Sequence, residues 1–196
     1  IGSIVFGILT AQLVNQKFFG RTFMRSVLLF PYVGPVVALA YTWELLLDPY
    51  SGTLNNLLMN FQVIQEPLNL LGQKYLTINF FGFDLKLRLA LTTVIIFEIW
   101  RYFPLAFLFI LARLQAVPKE LYEAAEVDGA GPLQKFISIT LPQITAVISI
   151  LFMIRFIWNF NKFEDIFLLT GGASGTRTLP INVYEQGFTI SDIGMG

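Results

Sequence analysis

Residues 118–130 read Pro118-Lys119-Glu120-Leu121-Tyr122-Glu123-Ala124-Ala125-Glu126-Val127-Asp128-Gly129-Ala130, and nine residues after Gly129 comes Ile139-Thr140-Leu141-Pro142. The pattern is helix, stop, helix, stop. Pro118 suits a helix start, since the N–H it lacks would go unused there, and Glu120 and Glu123 sit early, where the helix dipole favours negative charge. Gly129 is placed to end the first helix in a left-handed conformation. Pro132 opens the second, and Pro142 is expected to end it where the chain re-enters an apolar run.

Outward from this polar stretch the sequence turns apolar on both sides. Of 196 residues 55% are hydrophobic and 13% charged, with 20 Phe. Soluble domains carry about 25% charge, so the natural solvent here is the bilayer. Four apolar segments emerge. Residues 1–15 are too short for a full crossing, which takes about 20 residues, and read as part of a membrane helix. Residues 26–47 read as a span with Pro31, Gly34 and Pro35 near its start, which packed membrane helices tolerate. Residues 88–114 and 143–170 read as two more spans.

The loops set an orientation. Lys17, Arg21 and Arg25 crowd between the first two segments with no acid, whereas Lys74 and Lys86 are the only basic residues in the 40 from Asp48 to Leu87. The positive-inside rule puts the first loop in the cytoplasm and residues 48–87 outside. Residues 115–142 are then cytoplasmic, and residues 171–196 form an external segment before a further span. The external loop has local structure of its own. Ser51-Gly52-Thr53 before Leu54, Leu57 and Leu58 predicts a capped amphipathic helix, and Tyr75–Leu87, with Gly82 in the middle, predicts a hairpin. The sequence opens on Ile1 and closes on Gly196, so a core truncated at both ends is expected.

Several function classes are excluded or disfavoured. Equal numbers of basic and acidic residues, 13 each, argue against a nucleic-acid partner. Without Cys or His the chain has no thiolate site and lacks the commonest metal ligand and the commonest general base. An intramembrane enzyme is therefore disfavoured, and no catalytic or metal-ligating residue is assigned. There is no glycine-rich phosphate loop.

The spacing Glu-Ala-Ala, three residues, Gly, nine residues, Ile-x-Leu-Pro falls on Glu123, Ala124, Ala125, Gly129, Ile139, Leu141 and Pro142. It resembles the signature loop of permease subunits of binding-protein-dependent ABC importers. Leu29-Phe30-Pro31-Tyr32, Trp100-Arg101-Tyr102-Phe103-Pro104, Leu114-Gln115-Ala116-Val117-Pro118, Ile157-Trp158-Asn159-Phe160-Asn161 and Leu168-Leu169-Thr170-Gly171-Gly172 are similar to the maltose-type carbohydrate permeases. The resemblance covers essentially the whole chain. It implies an all-α, polytopic transmembrane protein with the type I ABC importer permease core, in a bacterial inner membrane. It further implies that Glu120, Glu123, Ala124, Ala125, Asp128, Gly129, Leu141 and Pro142 form the ATPase-coupling loop. Partners implied are two ATP-binding subunits, which hold the ATP and Mg, a second similar permease and an extracytoplasmic solute-binding protein. No cofactor is expected in this chain.

A substrate path is expected where polar groups interrupt the spans. Arg155, Asn159 and Lys162 stand at i, i+4 and i+7, one helical face, with Asp165 one turn beyond as an alternative partner for Lys162. Glu98 and Arg101, at i and i+3, are close enough to pair. By resemblance the sugar site draws on Tyr32, on Arg101, Tyr102 and Leu105, and on the face of Arg155 and Asn159. The two arginines hint at an anionic saccharide. Rival readings are a permease for a non-sugar solute and a secondary transporter or channel, which has no use for an ATPase-docking loop.

Overall fold

A computed structural model describes residues 1–80 and 83–190. The described residues form ten α-helices, two π-turns and one two-stranded hairpin. Two compact units divide them, one made of Ile1–Val33 with Ile99–Ile157, the other of Gly34–Glu98 with the chain from Trp158 onward.

The first unit holds α1 (Gly2–Asn15), α2 (Arg21–Val33) and most of α5 (Leu89–Gln115). It continues with α6 (Lys119–Val127), α7 (Pro132–Lys135), a π-turn (Phe136–Thr140) and most of α8 (Leu141–Phe160). In lipid, helices associate through close packing rather than through water exclusion, so small residues decide where backbones meet. Helix α1 buries Ser3, Gly7, Thr10 and Ala11 along one face. A methyl group added at Gly7 would stand 2.6 Å from Cβ of Ala106 and 2.9 Å from the Phe107 amide, so only glycine permits this approach to α5. Around that seam Phe103, Phe107, Ile110, Ile144 and Leu151 close a buried apolar core. Arg113 ties α5 to α8, donating from Nε to the Gln143 carbonyl at 2.9 Å and from Nη2 to its side-chain oxygen at 2.6 Å.

The second unit holds α3 (Val36–Leu47), α4 (Thr53–Asn60), strands β1 (Leu76–Phe80) and β2 (Phe83–Leu87), α9 (Glu164–Thr170), α10 (Leu179–Tyr184) and a second π-turn (Glu185–Thr189). Its irregular part is organised by side chains bonding backbone. Asp48 Oδ1 accepts from the Tyr50 and Ser51 amides at 3.0 and 2.7 Å and from the Ser51 hydroxyl at 2.9 Å, turning the chain out of α3. Those bonds hold the Asp48 carboxyl below its usual range, the Ser51 amide acting most strongly. Buried Asn55 pins the loop that follows α4: it donates to the Leu68 carbonyl at 2.9 Å and accepts from the Leu68 amide at 3.0 Å. The strands pair antiparallel with Leu76 opposite Leu87. Ser174 donates to the Gly72 carbonyl at 2.6 Å, joining the loop after α9 to the loop before β1.

Among the described residues two helices are long and apolar enough to cross a membrane: α5, and the run Pro132–Phe160 of 29 residues. The pair α2 and α3 makes a third if counted as one broken span. Helix α5 lies within one residue of the expected 88–114, and α1 matches 1–15. The expected span 26–47 is instead two helices. It starts at Arg21 and breaks at Gly34-Pro35, because the Pro35 ring disfavours helical geometry at Gly34 and removes an amide from the ladder. The expected span 143–170 also differs at both ends. Pro142 does not stop the helix: the Leu141 amide bonds back to Phe136, a π-turn step, so the proline falls where the ladder has already shifted. At the other end α8 stops at Phe160, and residues 164–170 are a separate helix. The hairpin at 75–87 forms as expected, with Gly82 outside the described residues. Helix α4 forms too, but without a side-chain cap, since the Ser51 hydroxyl is turned to Asp48.

Candidate functional site

The loop 115–142 folds as two short helices standing in solvent. No residue of α6 or α7 is buried. Helix α6 ends in a complete Schellman motif: the Ala130 amide bonds the Ala125 carbonyl at 2.8 Å and the Gly129 amide bonds the Glu126 carbonyl at 3.0 Å. This geometry needs the left-handed Gly129, whose φ is +75°. Two side-chain bonds then clamp α6 to the helical run that follows. Lys135 Nζ meets Glu126 Oε1 at 2.6 Å, and the Tyr122 and Thr140 hydroxyls lie 2.9 Å apart. The Lys135 bond and charge hold the Glu126 carboxyl below its usual 4.5.

The expected coupling residues distribute along this device. Glu120 and Glu123 are exposed on α6, Ala124 is exposed and Ala125 half-buried, and Asp128 is the exposed C-cap before Gly129. Leu141 packs against the apolar core, while Pro142 is exposed on the first turn of α8. Leu121, Val127 and Leu133 add exposed apolar surface to the same two helices, and Ile137 adds more on the π-turn that follows. Sequence reading missed the Glu126–Lys135 and Tyr122–Thr140 clamps, whose partners are 9 and 18 residues apart.

Of the expected path residues, the first unit gathers four. The Tyr102 ring lies 6.2 Å from Tyr32, edge to face. The guanidinium of buried Arg155 stands 4.0 Å over the Tyr102 ring, and that of Arg101 stands 5.5 Å away. Arginine against a tyrosine face is a favourable arrangement once water is excluded. Leu105 does not join them; it packs against the apolar core.

The expected face of Arg155, Asn159 and Lys162 does not form. Lys162 lies beyond the end of α8, so helical spacing no longer relates it to Arg155, and Asn159 is exposed on the last turn. In the second unit Lys162 Nζ pairs with Glu98 Oε1 at 3.2 Å and with the carboxylate of Asp165. Glu98 thus has a partner other than the expected Arg101. The Lys162 carbonyl, left over at the helix end, accepts from the Thr178 hydroxyl at 3.1 Å. Asp165 sits in the first turn of α9, where the dipole welcomes a carboxylate. Around it the rings of Phe163, Phe167, Tyr184 and Phe188 pack together with centroids 4.9–5.4 Å apart, Phe163 stacked on Phe167 and Tyr184 on Phe188. Their one legible signal is the i, i+4 spacing of Phe163 with Phe167 and of Tyr184 with Phe188. Among the described residues no group of His, Cys, Asp or Glu is placed to hold a metal.

This chain is 36% identical over 193 residues to the inner membrane ABC transporter permease protein YcjO of Escherichia coli, covering 98% of the chain and 61% of that protein. It is 32% identical to the trehalose/maltose transport system permease protein MalF of Thermococcus litoralis, covering 98% of the chain and 60% of that protein. It is also 32% identical to the sn-glycerol-3-phosphate transport system permease protein UgpA of Yersinia pestis, with 98% and 61% covered. The chain thus spans about three-fifths of the length of these curated relatives. A solved bacterial ABC transporter that imports the acidic polysaccharide alginate shares the fold, with a TM-score of 0.70 at 22% identity over 96% of this chain and 63% of that one. The model of the binding-protein-dependent transport system inner membrane component matches residues 3–192, and the chain belongs to that family of multi-pass inner-membrane transport components.

Proposed function

We propose that this chain is the pore-forming core of an ATP-driven importer, and that α6 and α7 are the surface on which a cytoplasmic ATPase acts. The observation that carries this reading is mechanical. Helix α6 has no buried residue, is ended by a Schellman motif, and is clamped by Glu126–Lys135 and Tyr122–Thr140 to the run Pro132–Phe160. A partner gripping α6 therefore moves a membrane helix rather than a loose loop. In this reading Lys17, Arg21, Arg25 and residues 115–142 face the cytoplasm, and the second unit's loops face outward. Two ATP-binding subunits hold ATP and Mg, and a second similar permease completes the pore. An extracytoplasmic solute-binding protein delivers the solute.

The solute we favour is a sugar or oligosaccharide. The Tyr32–Tyr102–Arg155 cluster supplies aromatic faces with fixed polar groups, as carbohydrate recognition needs. The name of the trehalose/maltose relative points the same way. A phosphorylated or carboxylated small solute is the second reading, favoured by the two guanidinium groups on Tyr102 and by the glycerol-phosphate relative.

The test uses the full-length protein in its complex. Gly129→Val forces a branched side chain into left-handed backbone, at about 1–3 kcal/mol, and Asp128→Lys reverses the charge beside it. Both variants are expected to insert normally and to lose solute uptake, with ATPase no longer co-purifying or no longer stimulated by loaded binding protein. Normal uptake by both at normal expression would refute the coupling role.

A further inference from the structure

Helix α2 carries a face that its own unit leaves open. Phe23, Val27 and Phe30 recur at i, i+4 and i+7 and are 75%, 49% and 62% exposed. The opposite face is engaged: Leu28 and Leu29 pack on the apolar core, and Arg25 Nη2 donates to the Val14 carbonyl at 3.4 Å. At the inner end of the open stripe, Ser26, Val27, Phe30 and Pro31 with Trp100 of α5 line a hollow of about 500 Å³. At its outer end Lys17 and Arg21 are exposed, with Phe18 and Phe19 exposed between them. No Asp or Glu occurs anywhere in residues 1–43.

We propose that this face binds an anionic phospholipid of the surrounding bilayer, its headgroup on Lys17 and Arg21 and one acyl chain laid along Phe23, Val27 and Phe30 into the hollow. Three observations select a lipid. The stripe is apolar along its length and cationic at one end only, the charge distribution of an acidic lipid in mirror image. Its length also fits. Arg21 to Phe30 spans nine residues, about 14 Å of helix, against roughly 15 Å for one leaflet, half of a hydrocarbon core of about 30 Å. Finally, phenylalanines beside exposed cations are the composition of an interfacial anchor. Arg25 is turned to Val14 and is not part of the headgroup site. The proposal is independent of the transport reading and of which solute is carried.

The test places benzoylphenylalanine at Phe30, and separately at Val27, in the full-length protein. Each variant is irradiated in vesicles of phosphatidylglycerol and phosphatidylethanolamine in equal parts. The expected adduct has the mass of one phospholipid and is enriched in phosphatidylglycerol beyond the vesicle composition. The double variant Lys17→Gln/Arg21→Gln should return the adducts to that composition. The same label at exposed Phe152 of α8, away from the basic turn, should show no headgroup preference. A polypeptide adduct from both labelled positions, whether to the same chain or to another subunit, overturns the proposal. So does a lipid adduct with no headgroup preference, which would mark an ordinary bilayer contact.

Discussion

Lys135 joins Glu126 at 2.6 Å with the glutamate side chain 70% exposed, whereas Lys162 joins Glu98 at 3.2 Å with that glutamate 16% exposed, and also holds Asp165, 4% exposed. The chemistry is the same and the surroundings reverse its meaning. Water screens the first pair and competes for both partners, so it adds little to global stability. The second cannot be separated without stranding a charge in an apolar medium, which costs about 3–5 kcal/mol. The first steadies a surface offered to a partner. The second fixes where a membrane helix stops and another begins.

The comparison breaks most visibly at Lys162. Lys162→Met takes the ammonium away from two largely buried carboxylates, and thermal unfolding in detergent should register a loss of about 3–5 kcal/mol, seen in practice as little folded protein. Neutralising all three groups, with Glu98→Gln and Asp165→Asn added, should restore much of the folded yield. Wild-type stability of the single variant would show that the cluster carries no structural load. A buried polar group without charge should fall between the extremes: Asn55→Ala deprives Leu68 of both bonds, and the same assay should show about 1–3 kcal/mol. The smallest effect belongs to the exposed pair. Glu126→Gln should leave the global unfolding transition unmoved while accelerating amide exchange across α6 and α7. The pH dependence has a definite sign. The Glu126 carboxyl is held below 4.5 in the folded protein, chiefly by the Lys135 hydrogen bond. The clamp is therefore complete above that value and is lost as pH falls through the lower folded one. A fall in protection, measured against the intrinsic exchange rate at each pH, on acidification and absent in Glu126→Gln would confirm the clamp, and equal protection in both proteins at every pH would dismiss it.

These contrasts also show what a sequence can disclose. The solvent-exposed helices were legible because their signals are local: Pro118 and Pro132 at helix starts, Gly129 at a helix end, all within a few residues of what they control. Helix α5 was legible as a long uninterrupted apolar run. The break at Gly34-Pro35 was not, although both residues were visible, because an apolar average over 26–47 is indifferent to whether one helix or two carry it. The end of α8 at Phe160 was hidden in the same way. Asp165 was in view as a partner for Lys162, three residues on, while Glu98 lies 64 positions earlier and had a nearer candidate in Arg101. Of the expected path, Tyr32, Arg101, Tyr102 and Arg155 meet in the first unit, whereas Lys162 leaves the helix on which its spacing was counted.

The π-turn at Phe136–Thr140 holds one residue more than a regular turn. Each α-helical residue advances the chain by about 100° around the axis. That extra residue therefore sets the phase between α7 and the core-facing side of α8, as a spacer sets two cams on one shaft. Removing one residue from 136–138 would leave the apolar pattern of α8 and the sequence of α6 intact. It would still turn α7 about the axis by roughly a quarter of a circle, drawing Lys135 away from Glu126 and Thr140 from Tyr122. A chain shortened there keeps the helices on either side and loses their alignment, and with it the nine-residue interval between Gly129 and Ile139.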